Sequence, residues 1–138
     1  MIDASKIDRL LRTARAARGR AYAPYSDFAV GAALLGTSGR IYAGTNIENS
    51  SYGLSLCAER TALAQAIVRG ERSFRAVAVV ADSDDPCTPC GACRHVLSEF
   101  QDDLIIVSAN LHGAVETRPL KELLPARNNT LKRRRGAS

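Results

Sequence analysis

Residues 28–46, FAVGAALLGTSGRIYAGTN, decide the fold. Two apolar runs, 28–36 and 40–46, flank Thr37-Ser38-Gly39, a short polar segment with turn chemistry. The stretch predicts a β-hairpin. Upstream, Ile7, Leu10, Leu11 and Ala14 recur at i, i+3, i+4 and i+7. That period predicts a helix over 4–18, broken by Ala23-Pro24-Tyr25-Ser26. Downstream, the polar segment 47–55 reads as a loop, and CAERTALAQAIVR (57–69) as a helix ended by Gly70. RAVAVVAD (75–82) is a third strand, and a helix runs from the Pro89-Cys90 step to about Phe100. LIIVSA (104–109) and AVETR (114–118) are the fourth and fifth strands, and Pro119 opens a short last helix. The order α-β-β-α-β-α-β-β-α predicts a layered α/β sandwich around one sheet.

A chain of 138 residues fits one domain and buries about two-thirds of its unfolded surface. The expected domain covers 1–125, followed by a basic, disordered tail at 126–138. Hydrophobic residues make up 46% of the chain, so no metal is needed merely to hold it together. No run approaches ~18 apolar residues and the N-terminus has no apolar leader core, so no membrane partner is expected. The expected location is the cytoplasm, where thiols stay reduced and clustered cysteines favour metal over disulfides. The net charge is +5, but LKRRRGAS (131–138) holds Lys132, Arg133, Arg134 and Arg135; without them the chain carries +1. The folded part is nearly neutral, which argues against a nucleic-acid partner.

The cysteines are placed unevenly. Cys57 opens a predicted helix, while Cys87, Cys90 and Cys93 fall in DDPCTPCGACRHVL (84–97). Cys90 and Cys93 lie in the first turn of the next helix and point to one side. Two helix N-termini then converge, each carrying roughly half a positive charge that favours thiolates. Cys57, Cys90 and Cys93 make a three-sulfur site for a tetrahedral zinc ion, the ligand number of a catalytic centre. Cys87 as a fourth, closing ligand, or an iron–sulfur cluster, stays open as an alternative. Glu59 follows Cys57 by two residues, within reach of a zinc-activated water as a general acid/base. Three thiolates on Zn²⁺ leave a formal negative charge. Arg60 and Arg94 each adjoin a ligand cysteine, and Arg60 is the one expected to hydrogen-bond a ligand sulfur.

Cys57-Ala58-Glu59 with Pro89-Cys90-Gly91-Ala92-Cys93 resembles the zinc nucleoside deaminases. More narrowly, AYAPYSDFAVGAALL (21–35), NIENSSYG (46–53), CAERTALAQA (57–66) and PCGACRHVLSEF (89–100) resemble the small free-nucleoside cytidine deaminases, in that family's order. The resemblance implies a three-layer α/β/α sandwich around a five-stranded mixed sheet, with one Zn²⁺ per subunit. It implies hydrolytic deamination of cytidine and 2′-deoxycytidine by a zinc-activated water, with Glu59 as proton shuttle. It further implies a homotetramer with sites at subunit interfaces. Asn46 and Glu48 correspond to binders of the ribose hydroxyls, Phe28 to an aromatic packed on the pyrimidine, and Ala58 to backbone contacts with the base. Tyr52 corresponds to a residue donated across an interface. Read alone, Asn46 also fits a turn cap, Phe28 a core residue and Tyr52 an ordinary loop tyrosine.

Two positions depart from the family pattern. His95 stands where glutamine is usual and is expected to pack or to support the centre. Asn128 stands near the place of a phenylalanine that covers the base. Both motivate an alternative substrate, a modified aminopyrimidine nucleoside of the blasticidin type. A noncatalytic, zinc-stabilised RNA-binding module is the more distant alternative.

Overall fold

The computed structural model describes residues 2–125. The expected tail at 126–138, Asn128 included, lies outside the described residues. Helix α1 covers Ala4–Arg18, and the hairpin is β1 (Val30–Gly36) with β2 (Ile41–Thr45). Helix α2 covers Ala58–Val68, β3 Phe74–Ala81 and α3 Gly91–Ser98. Strands β4 (Ile105–Asn110) and β5 (Val115–Pro119) and the short α4 (Leu120–Leu123) complete the order. The loop expected at 47–55 contains one 3-10 turn, Tyr52–Leu54.

The five strands lie in the order β2-β1-β3-β4-β5. Only β3 and β4 are parallel; the other neighbours run antiparallel, so the sheet is mixed. A parallel pair needs a crossover, and α3 with the loop before it supplies one. Alternation along the strands sorts the core into two faces. Ala33, Leu35, Ala76, Ala78 and Val80 pack against Leu10, Leu11 and Ala14 of α1. Ala32, Leu34 and Val77 face the other way, against Ala62, Leu63 and Ala66 of α2 and Leu97 of α3. Each fully buried Leu or Val there contributes about 1.5–3 kcal/mol. The result is the expected α/β/α sandwich.

Two glycines set how closely the helices approach. A Cβ at Gly31 would stand 1.9 Å from the Ala14 carbonyl oxygen of α1. One at Gly44 would stand 2.2 Å from the Ala58 carbonyl oxygen in the first turn of α2. Gly44 thereby lets the start of α2, which carries Cys57 and Glu59, rest directly on β2.

Candidate active site

Two helix starts build the centre. Cys57 caps the N-terminus of α2 and Cys90 that of α3, both in extended backbone. Cys93, fully buried, lies in the first turn of α3, and its backbone N–H donates to Cys90 Sγ at 3.5 Å. The three sulfurs all lie within 4.8 Å of one another, and Cys57 Sγ and Cys90 Sγ are 3.7 Å apart. Zn–S bonds of about 2.3 Å in a tetrahedron space sulfurs about 3.8 Å apart, so these residues fit the ion. Cys87 stands outside this group. Its N–H donates to the Ala109 carbonyl at 3.2 Å, fastening it to the end of β4. The alternative with Cys87 as a fourth, closing ligand on the same ion is thereby set aside.

The thiols are not equivalent. Cys57 is pushed down to about 5, chiefly by the hydrogen bond from Cys93, with help from Arg60 and Cys90 and against the effect of burial. The same hydrogen bond, together with burial, pushes the Cys93 thiol up. The pair holds a proton that a divalent ion displaces on binding. Arg60 Nη2 donates to Cys57 Sγ at 3.6 Å and to the Ser55 carbonyl at 3.2 Å. Arg94 has other work: its Nε donates to the Pro89 carbonyl at 2.8 Å and its Nη1 to the Leu123 carbonyl at 3.2 Å. It ties the cysteine-bearing loop to α4.

Glu59 is 3% exposed and sits one residue into α2 from its first position. Burial is the main reason its carboxyl is pushed up to about 7; the charge on Cys57 adds to this, and its own N–H opposes it. A carboxyl poised near neutrality both takes and gives a proton readily.

A cavity of about 340 Å³ opens beside the centre. That is the size of a small-molecule site. Cys57, Ala58, Glu59 and Cys90, at the two helix starts, line it together with Phe28, Asn46 and Glu48 from the segments that flank β1 and β2. Backbone bonds stitch this rim together: Tyr22 N–H to Asn46 O at 3.0 Å, Glu48 N–H to Tyr22 O at 2.8 Å and Ile47 N–H to Leu56 O at 2.9 Å. Asn46, just past β2, grips the entry to β1, with Oδ1 accepting from Val30 N at 2.9 Å and Nδ2 donating to Phe28 O at 2.8 Å. The turn-cap reading of Asn46 thus describes contacts that it makes, beside its place on the cavity wall. Glu48 accepts from Tyr25 N and Ser26 N at 2.9 and 3.1 Å.

Tyr52 does not line the cavity. It is 77% exposed and meets Tyr25 edge to face with ring centroids 6.3 Å apart. His95 is exposed, so the expected packing role fails for this chain: its position on α3 faces away from the buried Cys93 and Leu97. Sequence reasoning missed Ser26, Val30, Ser55, Leu56, Val79, Cys87 and Thr88 as lining residues. Val79 had a signal, since it continues the alternation of Val77 toward the end of β3; Ser26 had none.

A family model described as the cytidine and deoxycytidylate deaminase zinc-binding region matches residues 4–109. A cytidine deaminase of Sporosarcina psychrophila is 49% identical over 120 residues, covering 86% of this chain and 88% of that protein. One from Halalkalibacterium halodurans is 50% identical over 117 residues, covering 84% and 89%. Among solved structures, a cytidine deaminase from Burkholderia pseudomallei superposes with a TM-score of 0.86 at 47% identity, over 88% of this chain and 98% of that one. A cytidine deaminase from Mycobacterium tuberculosis does so with a TM-score of 0.80 at 38% identity, over 94% and 99%.

Proposed function

This chain belongs to the small zinc-dependent cytidine deaminase family, and from that membership we infer how its own residues divide the deamination of cytidine and 2′-deoxycytidine to uridine and 2′-deoxyuridine. When bound by Cys57, Cys90 and Cys93, zinc supplies the Lewis acidity that makes water a nucleophile near neutral pH. Glu59, on the cavity wall, takes one proton from the attacking water and delivers it to pyrimidine N3. It then takes the remaining hydroxyl proton from the new C4 oxygen and passes it to the exocyclic amine, which leaves as ammonia, so the carbonyl forms and Glu59 is restored. Arg60 offsets the charge of the Cys57 thiolate.

Substrate placement follows the lining. Phe28 packs on the pyrimidine face. Ala58 offers the base the backbone at the start of α2, where N–H groups lack helical partners. Asn46 and Glu48 take the sugar hydroxyls, and the Glu48 carboxylate disfavours a phosphate nearby. The observation that carries this reading is the buried Glu59, beside a cluster of three sulfurs, on the wall of a cavity of about 340 Å³.

A homotetramer with sites completed at subunit interfaces is part of the same proposal. In its support, Tyr22, Tyr25, Ile47, Tyr52, Leu54 and Leu56 are all exposed on the two segments, 22–28 and 47–56, that also carry the lining residues Ser26, Phe28, Glu48, Ser55 and Leu56. Among the described residues no helix is long and apolar enough to cross a membrane. Four free thiols suit the reducing cytoplasm. The test is ammonia release from a nucleoside panel, with zinc measured on the same preparation. Cytidine and 2′-deoxycytidine should have the highest kcat/KM at one zinc per chain. A modified aminopyrimidine nucleoside outpacing both overturns the substrate assignment.

A further inference from the structure

Ser26 lines the cavity, yet none of the roles above uses it. Its hydroxyl donates to Glu48 Oε2 and accepts the backbone N–H of Phe28 at 3.1 Å. The N–H groups of Tyr25 and Ser26 both donate to Glu48 Oε1, at 2.9 and 3.1 Å. One turn of chain therefore gives this carboxylate three hydrogen bonds.

The turn is unusual in its backbone. Asp27 has φ 57°, the left-handed region, and among the described residues it is the only non-glycine with a positive φ. Side chains enter that region at a cost. The reversal brings the Phe28 N–H back onto Ser26 Oγ. With its acceptor side occupied from behind, the hydroxyl has its hydrogen free to point at Glu48.

A carboxylate offers about four acceptor positions. Two on Oε1 and one on Oε2 are filled, which leaves one, on Oε2. A group with a single remaining acceptor direction suits a single hydroxyl donor. We propose that Ser26 is a positioning residue: it locks the Glu48 carboxylate so that its last acceptor position meets the 3′-hydroxyl of the substrate sugar. The inference rests on the assignment of Glu48 to the sugar made above. The contacts also hold the carboxyl below its ordinary range, first through the Ser26 hydroxyl, so it stays an acceptor.

Steady-state kinetics with cytidine and 3′-deoxycytidine test this. Ser26→Ala should raise KM for cytidine about tenfold, with kcat within about twofold of the unaltered enzyme. With 3′-deoxycytidine the penalty should shrink below about twofold, because Glu48 then has no hydroxyl to meet. Ser26→Thr keeps the hydroxyl and should restore KM for cytidine. Ser26→Cys, a weaker donor of similar shape, should give an intermediate rise and stands in if Ser26→Ala does not fold. In a Glu48→Ala background, Ser26→Ala should add no further loss. An equal penalty on both substrates, or an undiminished penalty in that background, overturns the role of Ser26. Glu48→Ala with unchanged KM for cytidine instead overturns the sugar assignment itself, so the two failures are distinguishable.

Discussion

Glu59 is held in a place that suits the proton shuttle proposed for it and opposes folding. Burial raises its carboxyl to about 7, so the folded chain binds a proton there more tightly than the unfolded chain, whose value is near 4.5. Its effect on stability is therefore neutral at low pH, grows unfavourable as pH rises from about 4.5, and levels off above about 7. Glu59→Gln removes that dependence. In chelator-treated protein the variant should gain on the unaltered chain across this window, by up to roughly 3 kcal/mol. With zinc present it should keep the metal and lose turnover by at least about 10³-fold. Thermal melts at pH 5, 6, 7 and 8 with parallel ammonia assays check both halves; normal turnover would end the proton-shuttle assignment. Cys87 gives the complementary case. Its thiol is pushed up to about 11, first by burial and then by the charges on Glu59 and Cys57, so it stays neutral beside the centre. Cys87→Ser should leave zinc at one per chain by elemental analysis, whereas loss of metal would mean that the sulfur triad was drawn with the wrong thiols.

At the scale of elements, the centre depends on α2 starting against β2. Gly44→Ala places a methyl 2.2 Å from the Ala58 carbonyl oxygen and 2.5 Å from Ala62 N, so α2 must shift together with Cys57 at its cap. The expected cost is about 1–3 kcal/mol in denaturant unfolding, with weaker zinc retention against a competing chelator. Gly53→Ala, whose new Cβ meets nothing within 4 Å, is the control and should change neither. The same elements show what sequence can carry. Helix α1 was expected at 4–18 and is Ala4–Arg18, because its apolar period is local; the structure adds Asp3 as its cap, accepting from Lys6 N–H. Cys57 and Cys90 were legible as helix starts for the same reason. The strand order β2-β1-β3-β4-β5 was not, since alternation reports which face a residue takes and not which strand lies beside it. Arg60 and Arg94 looked alike beside their cysteines; only the path of α4 gave Arg94 its carbonyl at Leu123. Ser26 was invisible because its role arises from a left-handed residue at Asp27, which nothing in the local pattern demands.

At the scale of the molecule, the centre is built within one chain but its cavity is walled on one side by loops rich in exposed apolar groups. Tyr52 at 77% and Leu54 at 68% exposure are large side chains left in water, and with Tyr22, Tyr25 and Leu56 they lie on the same two segments as the lining residues Ser26, Phe28, Glu48 and Ser55. Scattered exposed apolar residues need no explanation; a group gathered around a binding cavity marks a contact surface. A second copy of the chain seated there would shield these rings and narrow the entrance to the nucleoside. The expected solution species is four times the chain mass of 14.8 kDa. Tyr52→Asp places a charge at the most exposed point of this surface and should shift the distribution toward smaller species. Because the metal centre is completed within one chain, zinc content should hold while KM for cytidine rises about tenfold or more. Sedimentation velocity across a dilution series, with kinetics at the same concentrations, checks this. An unaltered chain that sediments as a monomer and keeps full activity on dilution would mean that each cavity works alone and that these aromatics serve something other than assembly.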